Sequence, residues 1–236
     1  MPGIEQEKQN IPCHLGLIID GNRRWAKKRG LLPFMGHKRG FELLKKIGEY
    51  ILKKGIKVLT VYVFSSENWN RSKNEVSYLM WLLSQALNKK SIDYYCEKGI
   101  KLRIIGQKER LSKVLQNRIK KAEKLTKNNK KGILNLAISY GGRPEIIQAI
   151  KNIIRKKISA DKITDDLISQ HLWTAGVPNP DLIIRSGGEQ RLSDFLTWQS
   201  AYSELYFSKK YWPDFTEKDI DQALEDYSHR QRRFGR

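Results

Sequence analysis

The strongest constraint on the fold is an apolar run at residues 15–19, in which no polar residue alternates with the others. A strand of this kind is typical of a parallel sheet whose two faces are both covered by helices. Further strands are predicted at residues 58–64, 102–105, 133–138 and 181–185. Apolar residues recur with helical spacing over residues 41–52, 75–97, 111–125, 145–157, 164–172 and 217–229. The pattern predicts an α/β fold with a mostly parallel central β-sheet flanked by helices.

Length and composition limit the class of protein. A chain of 236 residues can bury one sizeable core, and no linker divides it, so we expect a flexible segment at 1–12 and a single domain at 13–236. Residues 1–12 lack the apolar core of a signal peptide, and no apolar run approaches the ~18 residues that span a bilayer. Cys13 and Cys96 cannot form a disulfide framework, which favours a cytoplasmic protein with reduced thiols.

The chain is strongly basic, with 45 Lys and Arg against 25 Asp and Glu and a formal charge of +20. Such a charge favours a polyanionic ligand, an anionic membrane surface or nucleic acid. The lysines are spread along predicted helices and turns instead of forming one tract, so we expect most of them to be solvated.

A polar loop follows the first predicted strand and opens onto a helix at residues 20–26. Backbone N–H groups in the first helical turn have no intrahelical partner, so they can accept an anion such as a phosphate. Arg23 and Arg24 add fixed charge, and Asp20 is placed to hold a hard cation such as Mg²⁺ that the phosphates share. An ordinary turn with an N-cap is the structural alternative.

Polar side chains also follow two other predicted strands. Ser65, Ser66, Asn68 and Arg71 come after the second strand, and a glycine-rich loop at 186–193 follows the strand that ends at residue 185. Since ligands bind at the carboxyl ends of parallel strands, these loops are expected to face one cleft. Two arginines and a serine hydroxyl make the 186–193 region a candidate second diphosphate site.

Five stretches, taken in order, resemble the signatures of the cis-prenyltransferases, the undecaprenyl diphosphate synthase family. They are residues 20–26 with 36–37, 64–71, 135–143, 181–198 and 233–235. The resemblance covers nearly the whole chain. It implies Mg²⁺-dependent condensation of isopentenyl diphosphate with an allylic diphosphate, with farnesyl diphosphate favoured. The implied product is a cis-polyprenyl diphosphate such as undecaprenyl diphosphate, the precursor of the lipid carrier for cell-wall glycan synthesis.

The resemblance also implies roles for individual residues. Asp20 and Asn68 match catalytic positions, and Asp20 and Glu204 match metal-binding positions. Because a neutral amide is a poor base, Asn68 is expected to orient substrate or to pass a proton toward pyrophosphate. Substrate binding is implied for Gly21, Asn22, Arg23, Arg24, Trp25, His37, Ser65, Ser66, Glu67, Trp69, Arg71, Arg185, Arg191, Leu192, Ser193, Arg233 and Gly235. A plain core role is the alternative for Trp25 and for Trp69.

Two larger features follow from the same resemblance. The helix at 75–97 would wall an apolar tunnel for the growing prenyl chain, although its apolar stripe is ordinarily core. The tail at 230–236 would cross the interface of a homodimer and complete the partner's diphosphate site. A product this apolar also implies peripheral contact with a membrane for its release.

The chain departs from the family at several positions. Pro33 stands where many members carry an arginine for the allylic diphosphate, so either Arg29 or Arg39 substitutes or the substrate sits differently. Asp194 replaces a usual asparagine, and Gln190 replaces a histidine near the metal, which weakens a metal role there. Val63 is larger than the residue found in many long-chain producers and could narrow a tunnel.

Two rival functions remain open at this point. The first is a noncatalytic or altered relative of the family, such as one that makes short chains or joins short units head to middle. Retention of Asp20, Asn68, Arg185, Arg191 and Glu204 argues against a noncatalytic relative. A basic nucleic-acid-binding protein would explain the charge, but the chain lacks a recognition-helix or aromatic-basic strand motif. The glycine-rich loops also suit compact diphosphates better than nucleic acid.

Overall fold

A computed structural model describes residues 11–230, and the strands within them form one parallel six-stranded sheet. The strands are β1 (His14–Ile18), β2 (Val58–Ser65), β3 (Ile100–Ile105), β4 (Gly132–Tyr140), β5 (Leu182–Arg185) and β6 (Glu204–Phe207). Their order across the sheet is β3-β4-β2-β1-β5-β6. The α/β prediction is confirmed. The half-buried, four-residue β6 is the strand that the sequence pattern did not predict.

Helices cover the sheet. They are α1 (Asn22–Lys28), α2 (Pro33–Lys53), α3 (Lys73–Ala86), α4 (Lys89–Glu97), α5 (Lys113–Thr126), α6 (Gly142–Arg155), α7 (Asp165–His171) and α8 (Glu217–His229). One long helix over 75–97 was the wrong expectation. The Asn88 side chain accepts a hydrogen bond from the Ser91 backbone N–H at 2.8 Å, so it caps a new helix and separates α3 from α4.

Two hydrophobic cores lie on opposite faces of the sheet. Leu15 and Leu17 of β1 point into the larger core, whereas Ile18 points into the smaller one. The uninterrupted apolar run of β1 is therefore explained by burial on both sides, as predicted. Within residues 11–230, no helix combines the length and the apolar character needed to cross a membrane.

The strand order places a cleft at the end of β1. β1 lies between β2 and β5: the chain passes from β1 to β2 on one side, and it reaches β5, on the other side of β1, only later from β4. A topological switch of this kind opens a crevice at the carboxyl ends of the strands, where ligands bind in open α/β sheets. The loops that follow β1, β2 and β5 meet there.

Close packing of two helices fixes the loop after β1. Gly36 and Gly40 of α2 face Asn22, and an added Cβ would lie 2.0 Å from the Asn22 carbonyl oxygen at Gly36 and 2.3 Å from Asn22 Oδ1 at Gly40. Only glycine permits this approach. α2 therefore holds the start of α1 in place beside the crevice.

Candidate active site

Asp20 lies two residues beyond the end of β1, and three donors hold its carboxylate. The Gly21 backbone N–H donates to Oδ1 at 2.6 Å, and Arg24 Nη2 and Arg185 Nη2 donate to Oδ2 at 3.0 and 2.9 Å. Burial by itself would raise the pKa of Asp20, but the Arg185 hydrogen bond and the charges of both arginines outweigh it, so this pKa lies below its ordinary value. Asp20 is therefore an ionised carboxylate with 31% of its side chain exposed.

Arg185 joins that carboxylate to the loop after β5. Its side chain is 6% exposed, and Nη1 donates to Ser193 Oγ at 2.8 Å and to the Arg191 backbone carbonyl. Its Nε has no hydrogen-bond partner among the residues that the structure describes. The structure thus brings Asp20 to Arg185 and Ser193, although Asp20 and Arg185 are 165 residues apart in the chain.

Two glycines let the loops approach each other. Gly21 and Gly187 have φ values of +98° and +95°, which favour glycine. A Cβ would lie 2.6 Å from the Tyr211 ring at Gly21 and 2.9 Å from Arg24 Nη2 at Gly187. A side chain at either position would therefore push the ring or the guanidinium away from the crevice.

Glu189 bridges two of the predicted diphosphate-binding arginines. Arg24 Nη1 donates to Glu189 Oε1 at 2.9 Å, and Arg191 Nη1 lies 2.7 Å from Glu189 Oε2. An anionic ligand that binds these two guanidinium groups would therefore compete with the Glu189 carboxylate for the same N–H donors.

A second charged cluster lies where α2 meets α3. Glu75 is buried and accepts hydrogen bonds at 3.0 Å from Arg71 Nη1 and from the Nε2 side of His37, with Arg23 Nε 3.8 Å away. Burial lowers the pKa of His37, against the opposing effect of Glu75. Sequence reasoning missed Glu75, because a glutamate in the first turn of a helix usually faces solvent. Its spacing of four residues from Arg71 was the available signal.

The loop after β2 is a single 3-10 turn, Ser66–Asn70, closed by a capping box. The Asn68 side-chain oxygen accepts from the Ser65 backbone N–H at 3.2 Å. This contact leaves the Asn68 amide group at the rim, where it lines the main cavity of the molecule. The amide nitrogen is therefore the part of Asn68 that can contact a ligand.

The main cavity is about 1960 Å³ in volume and runs between the sheet and helices α2, α3 and α4. Charged and polar groups line its mouth at the ends of β1, β2 and β5. A second charged set, which includes Lys45, Glu49, Lys89 and Asp93, lines it along α2 and α4, and apolar side chains make up most of the remaining walls. The apolar walls include Leu44, Leu52, Leu59, Val63, Leu79, Leu82, Leu83, Ala86, Ile133, Leu134 and Leu136. The predicted candidates that line this cavity are Asp20, Gly21, Asn22, Arg23, Arg24, His37, Ser65, Glu67, Asn68, Arg71, Arg185 and Ser193.

Other predicted candidates lie elsewhere. Three candidates do not line this cavity, although residues close to them in the chain do: Ser66, Arg191 and Leu192. Trp25 Nε1 donates to Asp214 Oδ1 at 2.7 Å, and Trp69 Nε1 donates to Ser139 Oγ at 2.8 Å. Trp69 packs against the larger hydrophobic core, whereas Trp25 lies under the Arg29 guanidinium and belongs to neither core cluster. Arg233 and Gly235 lie outside the described residues.

Glu204 is not near Asp20 within one chain. It pairs with Leu182 at the start of β5, three residues before Arg185, so it lies toward the opposite end of the strands from Asp20. Arg230 Nη1 donates to its Oε2 at 2.7 Å. A shared metal site for these two carboxylates therefore does not form within one chain. Among the described residues, no three His, Cys, Asp or Glu side chains converge as a metal-binding group.

Comparison with known proteins identifies the family. The prenyltransferase family model described as undecaprenyl diphosphate synthase matches residues 18–235. The chain belongs to this family. The farnesyl-diphosphate-specific ditrans,polycis-undecaprenyl-diphosphate synthase of Pasteurella multocida is 47% identical over 236 residues, which cover 98% of each chain. The isoprenyl transferase of Thermotoga maritima is 47% identical over 227 residues, covering 95% of this chain and 97% of the relative.

A solved structure extends the comparison. Lavandulyl diphosphate synthase from Lavandula x intermedia, in complex with dimethylallyl diphosphate, superposes with a TM-score of 0.91 at 39% identity, covering 96% of this chain and 99% of that one. Family membership confirms the resemblance drawn from the five motifs, and it makes the chain an enzyme that transfers prenyl groups. The nucleic-acid-binding alternative has no support from these relatives.

Pro33, which stands where many family members carry an arginine, lies in the wall of the cavity. Neither Arg29 nor Arg39 lines the cavity. Arg29 instead stacks on the Trp25 ring at 4.5 Å and pairs with Asp214 at 3.0 Å. Lys27 lines the same cavity as Pro33 and supplies a positive charge there, although the sequence alone did not identify it as a candidate.

Asp194 has a structural role at the mouth of the cavity. Its backbone has a φ of +64°, and its Oδ1 accepts from the Arg143 backbone N–H and from Thr197 Oγ1, both at 3.0 Å. It therefore caps the start of α6. An asparagine could make the same contacts through its carbonyl oxygen, so this departure is conservative here.

Proposed function

We propose that this chain condenses isopentenyl diphosphate with an allylic diphosphate, preferably farnesyl diphosphate, into a cis-polyprenyl diphosphate such as undecaprenyl diphosphate. One observation carries the proposal: arginines at the ends of β1 and β5 meet at the mouth of a cavity of about 1960 Å³ with apolar walls. That arrangement suits two diphosphates held side by side with a long hydrocarbon between helices. The named specificity of the Pasteurella multocida relative supports farnesyl diphosphate as the allylic substrate.

The allylic diphosphate binds at the loop after β1. The backbone amides of residues 22–24 and the side chains of Arg23 and Arg24 hold its oxygens, and Lys27 supplies charge where Pro33 cannot. The prenyl tail enters the apolar part of the cavity. Holding the tail there keeps the first carbon of the allylic group at the mouth.

Isopentenyl diphosphate binds at the loop after β5, through Arg185, Arg191 and Ser193. Arg185 already donates to Ser193 Oγ and to the Arg191 carbonyl, so the loop is fixed before substrate arrives. The isopentenyl double bond attacks the first allylic carbon while the carbon–oxygen bond breaks and its electron pair leaves with pyrophosphate. Asn68 orients the isopentenyl group so that the proton it loses can reach the departing pyrophosphate.

Asp20 is a suitable anchor for Mg²⁺. It is ionised, partly exposed and next to the diphosphate donors, and Mg²⁺ is commonly held by one or two carboxylates together with substrate phosphates. When bound, the ion would neutralise charge on the leaving diphosphate. Asp20 would hold the ion, and Arg24 and Arg185 fix the orientation of its carboxylate. Glu204 of the same chain takes no part.

A homodimer is part of the proposal. Ile147, Ile150 and Ile154 recur at helical spacing on α6 and are 51%, 45% and 68% exposed, which leaves an apolar stripe for a second copy to cover. Tyr202, 72% exposed, extends the apolar surface. The tail at 230–236, with Arg233 and Gly235, would then reach the partner's diphosphate site.

A second candidate function is synthesis of a short or head-to-middle product. The structural similarity to lavandulyl diphosphate synthase supports this candidate, because that enzyme has the same fold and is named for a different product, lavandulyl diphosphate. Turnover of dimethylallyl diphosphate without isopentenyl diphosphate would support this alternative. The cavity volume favours the longer product.

The experiment is a product analysis with Mg²⁺, farnesyl diphosphate and labelled isopentenyl diphosphate, resolved by chain length. We expect cis-polyprenyl diphosphates much longer than the farnesyl primer. Asp20→Ala should remain folded and lose about 10²–10³ in rate, as when a preorganised charge partner is removed. Asp161→Ala, an exposed carboxylate remote from the cavity, is the matched control. Near-normal turnover in Asp20→Ala would contradict the metal role.

A further inference from the structure

Apolar side chains form an exposed patch on the outer side of α2 and α3. Phe34 and Tyr78 make an edge-to-face contact with ring centroids 5.0 Å apart, and Tyr78 stacks on Trp81 at 5.5 Å. Leu32, Met35 and Trp81 are 67%, 50% and 51% exposed. We call these five residues the aromatic patch. The three rings are linked by these contacts, and Leu32 and Met35 flank Phe34 closely in the chain. Contiguous exposed apolar patches mark interaction sites on soluble proteins.

The aromatic patch adjoins the cavity. Leu31 and Pro33, on either side of Leu32, line the cavity, and so does Leu79, which follows Tyr78. The two helices therefore present one side to the cavity and the other side, with its exposed aromatic rings, to solvent. A hydrophobic partner on the outside would lie a single helix away from the cavity.

Cations lie next to the aromatic patch. Lys38 and Arg39 are exposed and follow Met35 by three and four residues, so they are on the same side of α2. Lys27 and Lys28 are exposed at the end of α1, just before Leu32. Glu42 contributes one negative charge near Tyr78. The local balance is positive, in keeping with the formal charge of +20.

We infer that the aromatic patch docks this protein on an anionic lipid bilayer. Tyr and Trp rings favour the headgroup level of a membrane, and neighbouring Lys and Arg pair with anionic lipids. The cavity mouth then lies at the bilayer, where a long prenyl tail can leave into lipid. The purpose of docking rests on the proposed function, but the docking itself does not. A second copy is the less suitable occupant, because the apolar stripe of α6 already offers that interface and no cations are needed there.

The test is flotation of the full chain with lipid vesicles, either of phosphatidylcholine alone or with one third phosphatidylglycerol. We expect binding to the anionic vesicles that weakens with salt. The triple variant Leu32→Ser, Met35→Ser, Trp81→Ser should bind at least tenfold more weakly. The matched control, Val114→Ser with Leu125→Ser, removes residues of α5 that are 65% and 52% exposed and should bind as the unaltered chain does.

Charge is tested separately. Lys38→Gln with Arg39→Gln should weaken binding to anionic vesicles about fivefold for each cation lost, and should not change binding to neutral ones. Unfolding midpoints show whether each variant is folded. Equal binding by the triple variant and the control would overturn the inference. So would a change of oligomeric state in the triple variant, since it would make the patch an interface between copies.

Turnover in detergent solution keeps this result apart from the proposed function. None of the substituted residues lines the cavity, so each variant should keep its turnover of farnesyl and isopentenyl diphosphates there. Vesicle binding without prenyl transfer by the unaltered chain would refute the proposed function and leave the docking surface intact. Prenyl transfer without patch-dependent vesicle binding would refute the docking surface alone.

Discussion

Replacing Arg185 by lysine separates the geometry of the site from its charge. The guanidinium reaches three acceptors at once: Asp20 Oδ2, Ser193 Oγ and the Arg191 carbonyl. A lysine ammonium can keep the pairing with Asp20, but it is a single point charge and cannot also reach the loop. Two hydrogen bonds from a charged donor are lost, at ~1.5–3 kcal/mol each.

The expected loss in kcat/KM for isopentenyl diphosphate is therefore roughly 10²–10⁴, from ~3–6 kcal/mol of lost positioning. Steady-state kinetics with farnesyl diphosphate held saturating would measure it. Arg191→Lys changes a second residue of the proposed isopentenyl diphosphate site, whose side chain is 61% exposed, and for comparison it should lose less than about tenfold, mostly in KM. An Arg185→Lys enzyme within tenfold of the unaltered one would refute the positioning argument.

The pH profile gives a second readout of the same residue. Arg185 helps to hold the pKa of Asp20 below its ordinary value, so Arg185→Gln should raise that pKa. Because the ionised carboxylate is the form that serves the site, the acid limb of activity should then move to higher pH. An unchanged limb with reduced turnover would indicate that Arg185 acts only on the loop.

Two further predictions concern other charged groups. His14 is buried, which lowers its pKa from 6.5 to about 4, so the stability it contributes is present above pH 6.5 and is lost as the pH falls toward 4. Between pH 7.5 and 5 the free energy of unfolding should therefore drop by about 2 kcal/mol from this group. Denaturant titrations of His14→Gln should lack that drop. Glu189 competes with diphosphate for Arg24 and Arg191, so Glu189→Gln should lower the KM for isopentenyl diphosphate severalfold. A raised KM would contradict this and would mean that the carboxylate positions the arginines.

Much of the fold follows from hydrophobic spacing. The run at 15–19 predicted a strand buried on both faces, and Leu15, Leu17 and Ile18 divide between the two cores as that requires. The break between α3 and α4 was missed because the apolar spacing continues through Leu87, and a single cap, Asn88, decides it. Local spacing cannot reveal a cap that competes with a continuous apolar stripe.

The candidate site was predicted better at strand ends than elsewhere. Asp20 follows β1 and Arg185 is the last residue of β5, so the parallel pairing of these strands brings the two together, as expected. Glu204 shares the family motif, but the register of β6 places it at the opposite end of the strands, which no local pattern shows. The indole N–H of the half-buried Trp25 needs a hydrogen-bond partner, and Asp214 supplies it from almost two hundred residues away in the chain.

The central claim is that two diphosphates lie side by side at the ends of β1 and β5, with one prenyl tail in the cavity between α2 and α3. A crystal structure with Mg²⁺, isopentenyl diphosphate and an unreactive farnesyl thiodiphosphate tests it directly. We expect the thiodiphosphate at Arg24 and residues 22–24, the isopentenyl diphosphate at Arg185 and Ser193, and the farnesyl tail against Val63 and Leu83. A farnesyl tail outside this cavity, or both diphosphates away from these arginines, would contradict the account.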